Sequence, residues 1–419
     1  MPNLGRLYTD KSPRLVVPLL FFLSGQVALL VGLALLIGES GPLFAGSYGS
    51  MGVVAATHMF TLGFATMVMM GALYQLMPVT LNLSPLPPAA VVGQWLIYNP
   101  GVALLVAGMA DGDFPLIVFG GGLTVIAVCW FLINAAWLLR QGPTWTVSGY
   151  FMVSAMGYLS LTIALGMVLT LNLRYNWFDA GRGVSIHLLL GFVGWFGFLL
   201  MGVTYKLWSM FLPSRTLPRR ARMTGILLHA GIWLGLLSAL TDPRWGLRLA
   251  WVLIGFAVFG YLLDAVNIWR GRKGRTVDPA LAATRVAPLF LVLAALAGVF
   301  GALGHPRAWE VAGYWVLNGW VGLSIASFMQ KIIPFLLWLH RYAHVHGQGK
   351  MPRLSDIFPT LWSWIIVIPW IVGVGLAGTG LWLGAVTVWI GGITLQGIGG
   401  VGLLTAVVVA LVRDPPRPG

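Results

Sequence analysis

Residues 58–78 read HMFTLGFATMVMMGALYQLMP, an apolar segment long enough to cross a bilayer, opened by His58 and closed by Pro78. Related stretches occur twice more, HLLLGFVGWFGFLLMGVTYKLWSMF at 187–211 and AGYWVLNGWVGLSIASFMQKIIPF at 312–335. When Tyr74-Gln75, Tyr205-Lys206 and Gln330-Lys331 are aligned, Gly63, Gly194 and Gly319 fall into one column without a gap. The same register sets His58 opposite Leu189 and Tyr314, and His187 opposite Ala56 and Ala312. A unit of about four helices used three times explains this spacing.

Outward from those stretches the whole chain is apolar. Of 419 residues, 58% are hydrophobic and 9% charged, and runs of about 20 apolar residues recur throughout. Twelve are expected, near 13–38, 50–79, 88–110, 114–139, 145–173, 181–212, 221–241, 246–269, 284–304, 308–339, 355–378 and 381–412. The runs are continuous rather than alternating, which excludes a transmembrane β-barrel. The expected fold is an all-α integral membrane protein of twelve transmembrane helices, with four-helix repeats in pseudo-three-fold arrangement. The repeats fall near 13–139, 145–269 and 284–412, within one membrane domain over 1–419, since no long linker interrupts the chain.

The net charge of +14 does not indicate nucleic acid, because its placement follows the bilayer. With both termini cytoplasmic, eighteen of the 25 Lys and Arg fall inside, Lys206 and Lys331 lie near the inner ends of their helices, and only Arg174, Arg182, Arg244, Arg248 and Arg307 remain outside. That is a positive-inside pattern, and it predicts a multi-pass protein of a cell inner membrane. Cys129 is the single cysteine and forms no internal disulfide. Polar residues precede a first apolar run long enough to remain as an anchor, so no cleaved signal is expected.

Chemistry points to the histidines. In the expected topology His58 and His187 lie in the outer halves of the second and sixth segments. His229 lies about 12 residues, or roughly 18 Å, from the outer end of the seventh. Ionisable or metal-binding groups inside a bilayer are costly and mark function, and imidazole ligates both heme iron and copper. The competing role for each is a hydrogen bond between helices. His58 and His187 are two positions apart in the repeat, a turn of about 200°, which predicts that they face different spaces and form two sites. His340, His344 and His346, beside Arg341 and Lys350, are expected to form a plain interfacial loop, and His305 an outer loop without special role. Asp264 has Lys206 and Lys331 as candidate ion-pair partners, although both lysines are long enough to snorkel. The methionines Met59, Met67, Met69, Met70 and Met77 cover several helix faces and are expected to pack. A proline kink is expected at Pro334.

Twelve helices in three units of four, with histidines on the second, sixth and seventh, resemble subunit I of the heme-copper oxidases, and the smaller NnrS-like membrane proteins look similar. The resemblance implies a heme b on His58, with Tyr314 at the position of a second ligand, and a copper site from His187 and His229. It also implies an oxidoreductase that handles electrons or a diatomic gas, nitric oxide or O₂, with a redox partner protein. The chain departs from that family at several points. Ala312 and Tyr314 stand where the tenth helix would carry His-x-His, Ala230 follows His229, and Leu188 to Gly191 replace the acid and tyrosine after the sixth-helix histidine. The segment LAGTGLWLG lacks the paired arginines for heme propionates. Proton pumping is therefore not expected, and a cofactor-free transporter or structural subunit on the same scaffold is the alternative.

Overall fold

The computed structural model describes residues 13–142, 146–212, 214, 216–241, 244–273, 277–342 and 352–413. Among them twelve helices are long and apolar enough to cross a membrane. These are α1 (Val16–Gly38), α2 (Met51–Leu81), α3 (Pro88–Asp111), α4 (Phe114–Leu139), α5 (Val147–Tyr175) and α6 (Ala180–Phe211). They continue with α7 (Ala221–Thr241), α8 (Arg244–Arg270), α9 (Pro279–Ala302), α10 (Ala308–Tyr342), α11 (Thr360–Leu383) and α12 (Val386–Val412). Among the described residues no strand forms, and one isolated bridge joins Ser214 to Arg272.

Helix ends follow local chemistry. Asp113, Thr146, Asp179 and Asp278 each accept a backbone N–H at the start of α4, α5, α6 and α9, which satisfies donors the helix cannot. Asp278 followed by Pro279 starts α9 five residues before the expected 284, because proline suits the first helical position. The chain before α11 instead forms a short helix over Leu354–Ile357, and α11 begins only after Pro359. Left-handed Asn82, Gly112, Asn176 and Gly384 close α2, α3, α5 and α11. α10 runs through Pro334 to Tyr342.

The repeated register appears in the backbone. α2, α6 and α10 each contain a π-helical stretch, at Met59–Thr66, Leu189–Gly197 and Trp315–Gly322. Those stretches hold the aligned Gly63, Gly194 and Gly319, and His58 and Tyr314 each stand immediately before one. A Cβ on Gly63 would press on Ala28 of α1, on Gly194 against Tyr158 of α5, and on Gly319 against Phe290 of α9. In each unit the first helix thus approaches the second at the same column. The third and fourth helices of each unit also pair closely. In the first and last units glycine brings the two backbones together, Gly120 against Leu105 and Gly392 against Ala377. Without a hydrophobic force between helices in lipid, such close packing is the main source of cohesion.

α10 is the most enclosed helix, with 89% of its apolar window buried, against 28% for α5 and α8. Met67, Met69, Met70 and Met77 of α2 are buried as expected of packing residues. Asp264 pairs with neither Lys206 nor Lys331. It accepts the backbone N–H of Arg220 at 2.9 Å and lies 3.4 Å from its guanidinium, while Lys331 pairs with Asp278 at 2.8 Å. The Arg220 segment lies over the end of α8 where Asp264 points, whereas Lys331 faces the start of α9.

Candidate functional site

His58 ends the α-helical part of α2, just before its π segment. Its Nδ1 lies 2.8 Å from the Val54 carbonyl one turn earlier. A carbonyl only accepts, so the proton sits on Nδ1 and the lone pair is left on Nε2. Metal-ligating histidines are held in this way. His187 enters from α6, and its ring rests on α5 at Gly166, where a Cβ would stand 3.2 Å from Cε1. Nδ1 of His187 is buried without a hydrogen bond of standard geometry, and the backbone of Thr162 is its polar neighbour on α5.

The two imidazoles face one another. Their ring centres are 6.3 Å apart and their planes differ by 23°. This overturns the expectation of two separate sites. A 200° offset does place the two side chains on opposite faces of their own helices, but on neighbouring helices opposite faces look toward each other.

Both rings line one cavity of about 140 Å³, walled by α2, α3, α4, α5 and α6. No Asp, Glu, Lys or Arg lines it. Its hydroxyls are largely committed: Thr57, Thr61, Thr124, Thr162 and Thr170 each donate to a carbonyl one turn back in their own helix. Thr66 accepts the indole N–H of Trp195 at 3.0 Å, which ties α2 to α6 at the cavity wall. The remaining lining is apolar, with the thioethers of Met109 and Met167 among it.

The other sequence candidates lie elsewhere. The Tyr314 hydroxyl donates to Gln396 Oε1 at 3.0 Å, its ring packs on Trp389, and it does not line the cavity. Within the cavity the aromatic neighbour of His58 is thus His187 rather than Tyr314. His229 also stands apart from His187. Its Nδ1 is 2.6 Å from the Tyr158 hydroxyl and its Nε2 3.1 Å from Ser154, with Phe198 against its ring. With both nitrogens engaged, His229 has the interhelical hydrogen-bonding role. His340 likewise spends Nδ1 on the Leu336 carbonyl and Nε2 on the Pro13 carbonyl. His305 stacks on Trp382 at 4.0 Å, and His344 and His346 lie outside the described residues.

Sequence reasoning missed Gly166, Thr66 and Trp195, which shape and close the cavity. For Gly166 a signal exists, a glycine mid-helix where its neighbours are bulky. The Thr66–Trp195 bond joins residues 129 apart and leaves no local trace.

The donor set distinguishes between metals. Among the described residues no group of three or more His, Cys, Asp or Glu side chains gathers to hold an ion, and zinc sites take three or four protein ligands. Two imidazoles suffice where the metal brings its own equatorial donors, as heme iron does. His58 and His187, which line one cavity, are the pair that would hold such a group. With its proton on Nδ1, His58 leaves Nε2 free as a donor beside His187, so the residues present fit a group held by two imidazoles. No known protein-family model and no curated protein matches the chain.

Proposed function

We propose that the chain is a membrane heme protein in which His58 and His187 would together hold one heme b. The meeting of two imidazoles in one cavity, 6.3 Å apart between ring centres, carries the reading. It is supported by the Nδ1 anchor of His58, the glycine that admits the His187 ring, and a cavity whose lining carries no charged side chain.

When bound, the group supplies one-electron chemistry. Held by both His58 and His187, such a group would favour electron transfer over gas activation. The protein's part is to orient both rings, exclude water with the threonine-capped walls, and hold the His58 proton at Nδ1. A redox partner protein would supply the electrons. The charge distribution supports an inner-membrane placement with both termini cytoplasmic.

Met109 and Met167 favour one second reading, a copper(I) ion held by two imidazoles and thioether sulfur, since soft ligands select that ion. The absorption spectrum of the detergent-purified chain, with elemental analysis for iron and copper, separates the two. A Soret band with stoichiometric iron supports heme. Copper without a Soret band supports the second reading, and neither metal returns the chain to the cofactor-free alternative.

A further inference from the structure

Trp269, near the end of α8, is 4% exposed, and two guanidinium groups flank its ring. Arg272 stands 5.6 Å from the ring centre and Arg285, from α9, 5.9 Å. Two guanidinium groups gathered beside one indole concentrate positive charge there, which suits an anion. The nearest acids by element are already engaged, Asp278 with Lys331 and Asp264 with Arg220.

The donors here also go unmet. The indole N–H of Trp269 and Nε of Arg272 are buried and find no acceptor among the described residues. The contrast with Trp208 is local: this neighbouring indole, edge-on to Trp269 at 6.3 Å, donates to Thr284 at 2.8 Å. Arg272 is held in place by an Nη1 bond to the Trp269 carbonyl at 2.8 Å, so its remaining N–H groups are set in direction. A buried donor left without a partner is costly, and guanidinium groups suit phosphate oxygens.

Arg285 also heads an apolar stripe. Leu289, Val292 and Leu296 follow it at helical spacing on α9 and are 56%, 39% and 53% exposed. A charged head at the helix end above an exposed apolar track is the layout for a phospholipid, with the phosphate at the arginines and an acyl chain along the track.

We propose that Trp269, Arg272 and Arg285 form a specific site for the phosphate of an anionic phospholipid. The inference is independent of any cofactor in the histidine cavity. The test is native mass spectrometry of the full chain in detergent, titrated with phosphatidylglycerol, with phosphatidylcholine, or with inorganic phosphate. Wild type is expected to retain one phosphatidylglycerol in preference to phosphatidylcholine. Arg272→Gln and Arg285→Gln should each weaken retention by about fivefold. Trp269→Phe, which keeps the packing and removes only the N–H, should weaken it less, and the exposed Lys273→Gln should leave it unchanged. Monodisperse elution of every variant excludes misfolding as the cause. Equal retention by the double arginine variant overturns the site, as does an equal loss in Lys273→Gln or equal retention of phosphatidylcholine. Displacement of the lipid by inorganic phosphate at comparable concentration overturns the lipid assignment.

Discussion

Replacing His58 by alanine tests the paired-imidazole site directly. The two ring centres stand 6.3 Å apart and both rings line one cavity, so both would hold one bound group. No side chain in the cavity spans that distance from position 58 once the ring is gone. Loss of a supporting outer partner alone costs about 10–100-fold in metal affinity, so loss of the ligand should cost more than about 100-fold in heme retention. His187→Ala should do the same, and the double variant little more, because each ring is effective only with the other. The assay is absorbance of detergent-purified protein expressed with ample heme, normalised to protein. Added imidazole should restore part of the spectrum in either single variant by entering the space left by the ring. With planes only 23° apart, oxidised wild type should give an ordinary rhombic low-spin electron paramagnetic resonance signal rather than the highly anisotropic signal of perpendicular rings. Tyr314→Phe and His229→Ala should leave the spectrum unchanged. A wild type without a Soret band refutes the reasoning. So does an unaltered spectrum in His58→Ala, or a loss in Tyr314→Phe equal to that in His187→Ala.

The remaining predictions concern the scaffold. Gly166→Ala places a methyl 3.2 Å from His187 Cε1 and should shift the visible spectrum while leaving the thermal midpoint nearly unchanged; an unshifted spectrum would remove Gly166 from the site. Gly120→Ala meets the Leu105 backbone, whereas a Cβ on Gly122 meets nothing within 4 Å. The first should destabilise by about 1–3 kcal/mol and the second by almost nothing, read by thermal unfolding in detergent. Asp264→Ala should cost about 1.5–3 kcal/mol through its lost hydrogen bonds to Arg220, and an unchanged midpoint would make that pair incidental. A reporter fused after Gly419 should be active only in the cytoplasm, and periplasmic activity would reverse the topology drawn from the Lys and Arg distribution.

The fold was legible because bilayer-spanning segments announce themselves. Eighteen or more apolar residues have few soluble uses, and all twelve expected runs correspond to helices. Boundaries slipped where caps, not hydrophobicity, decide them, as at Asp278-Pro279 and Pro359. The histidines were visible as costly residues, but their grouping was not. Helical phase gives the direction of a side chain relative to its own axis. Which helix lies in that direction is a tertiary fact, and the π segments, each with its extra residue per turn, alter the phase beyond them. His229 shows the other limit, since its partners Tyr158 and Ser154 on α5 are found only by packing.

The three units differ most where their registers agree. His58 and Tyr314 occupy one column, each directly before a π segment, yet the tyrosine turns to Gln396, which in turn donates to Asn318 Oδ1 at 2.9 Å. That chain of bonds satisfies a buried hydroxyl and locks α10 to α12. The sixth helix has Leu189 in the same column and moves its histidine two residues earlier. The displacement is what lets α6 answer α2 across their shared gap, because a histidine at 189 would look away from His58 by about 200°. Among the described residues, a scaffold of similar units therefore presents two facing imidazoles at one seam, between α2 and α6. Moving the second ligand back, as the double variant His187→Leu with Leu189→His, should abolish heme retention while keeping composition and helix propensity nearly constant. Retained binding in that variant would show that the register of α6 does not set the site, and the argument from opposed faces would fall with it.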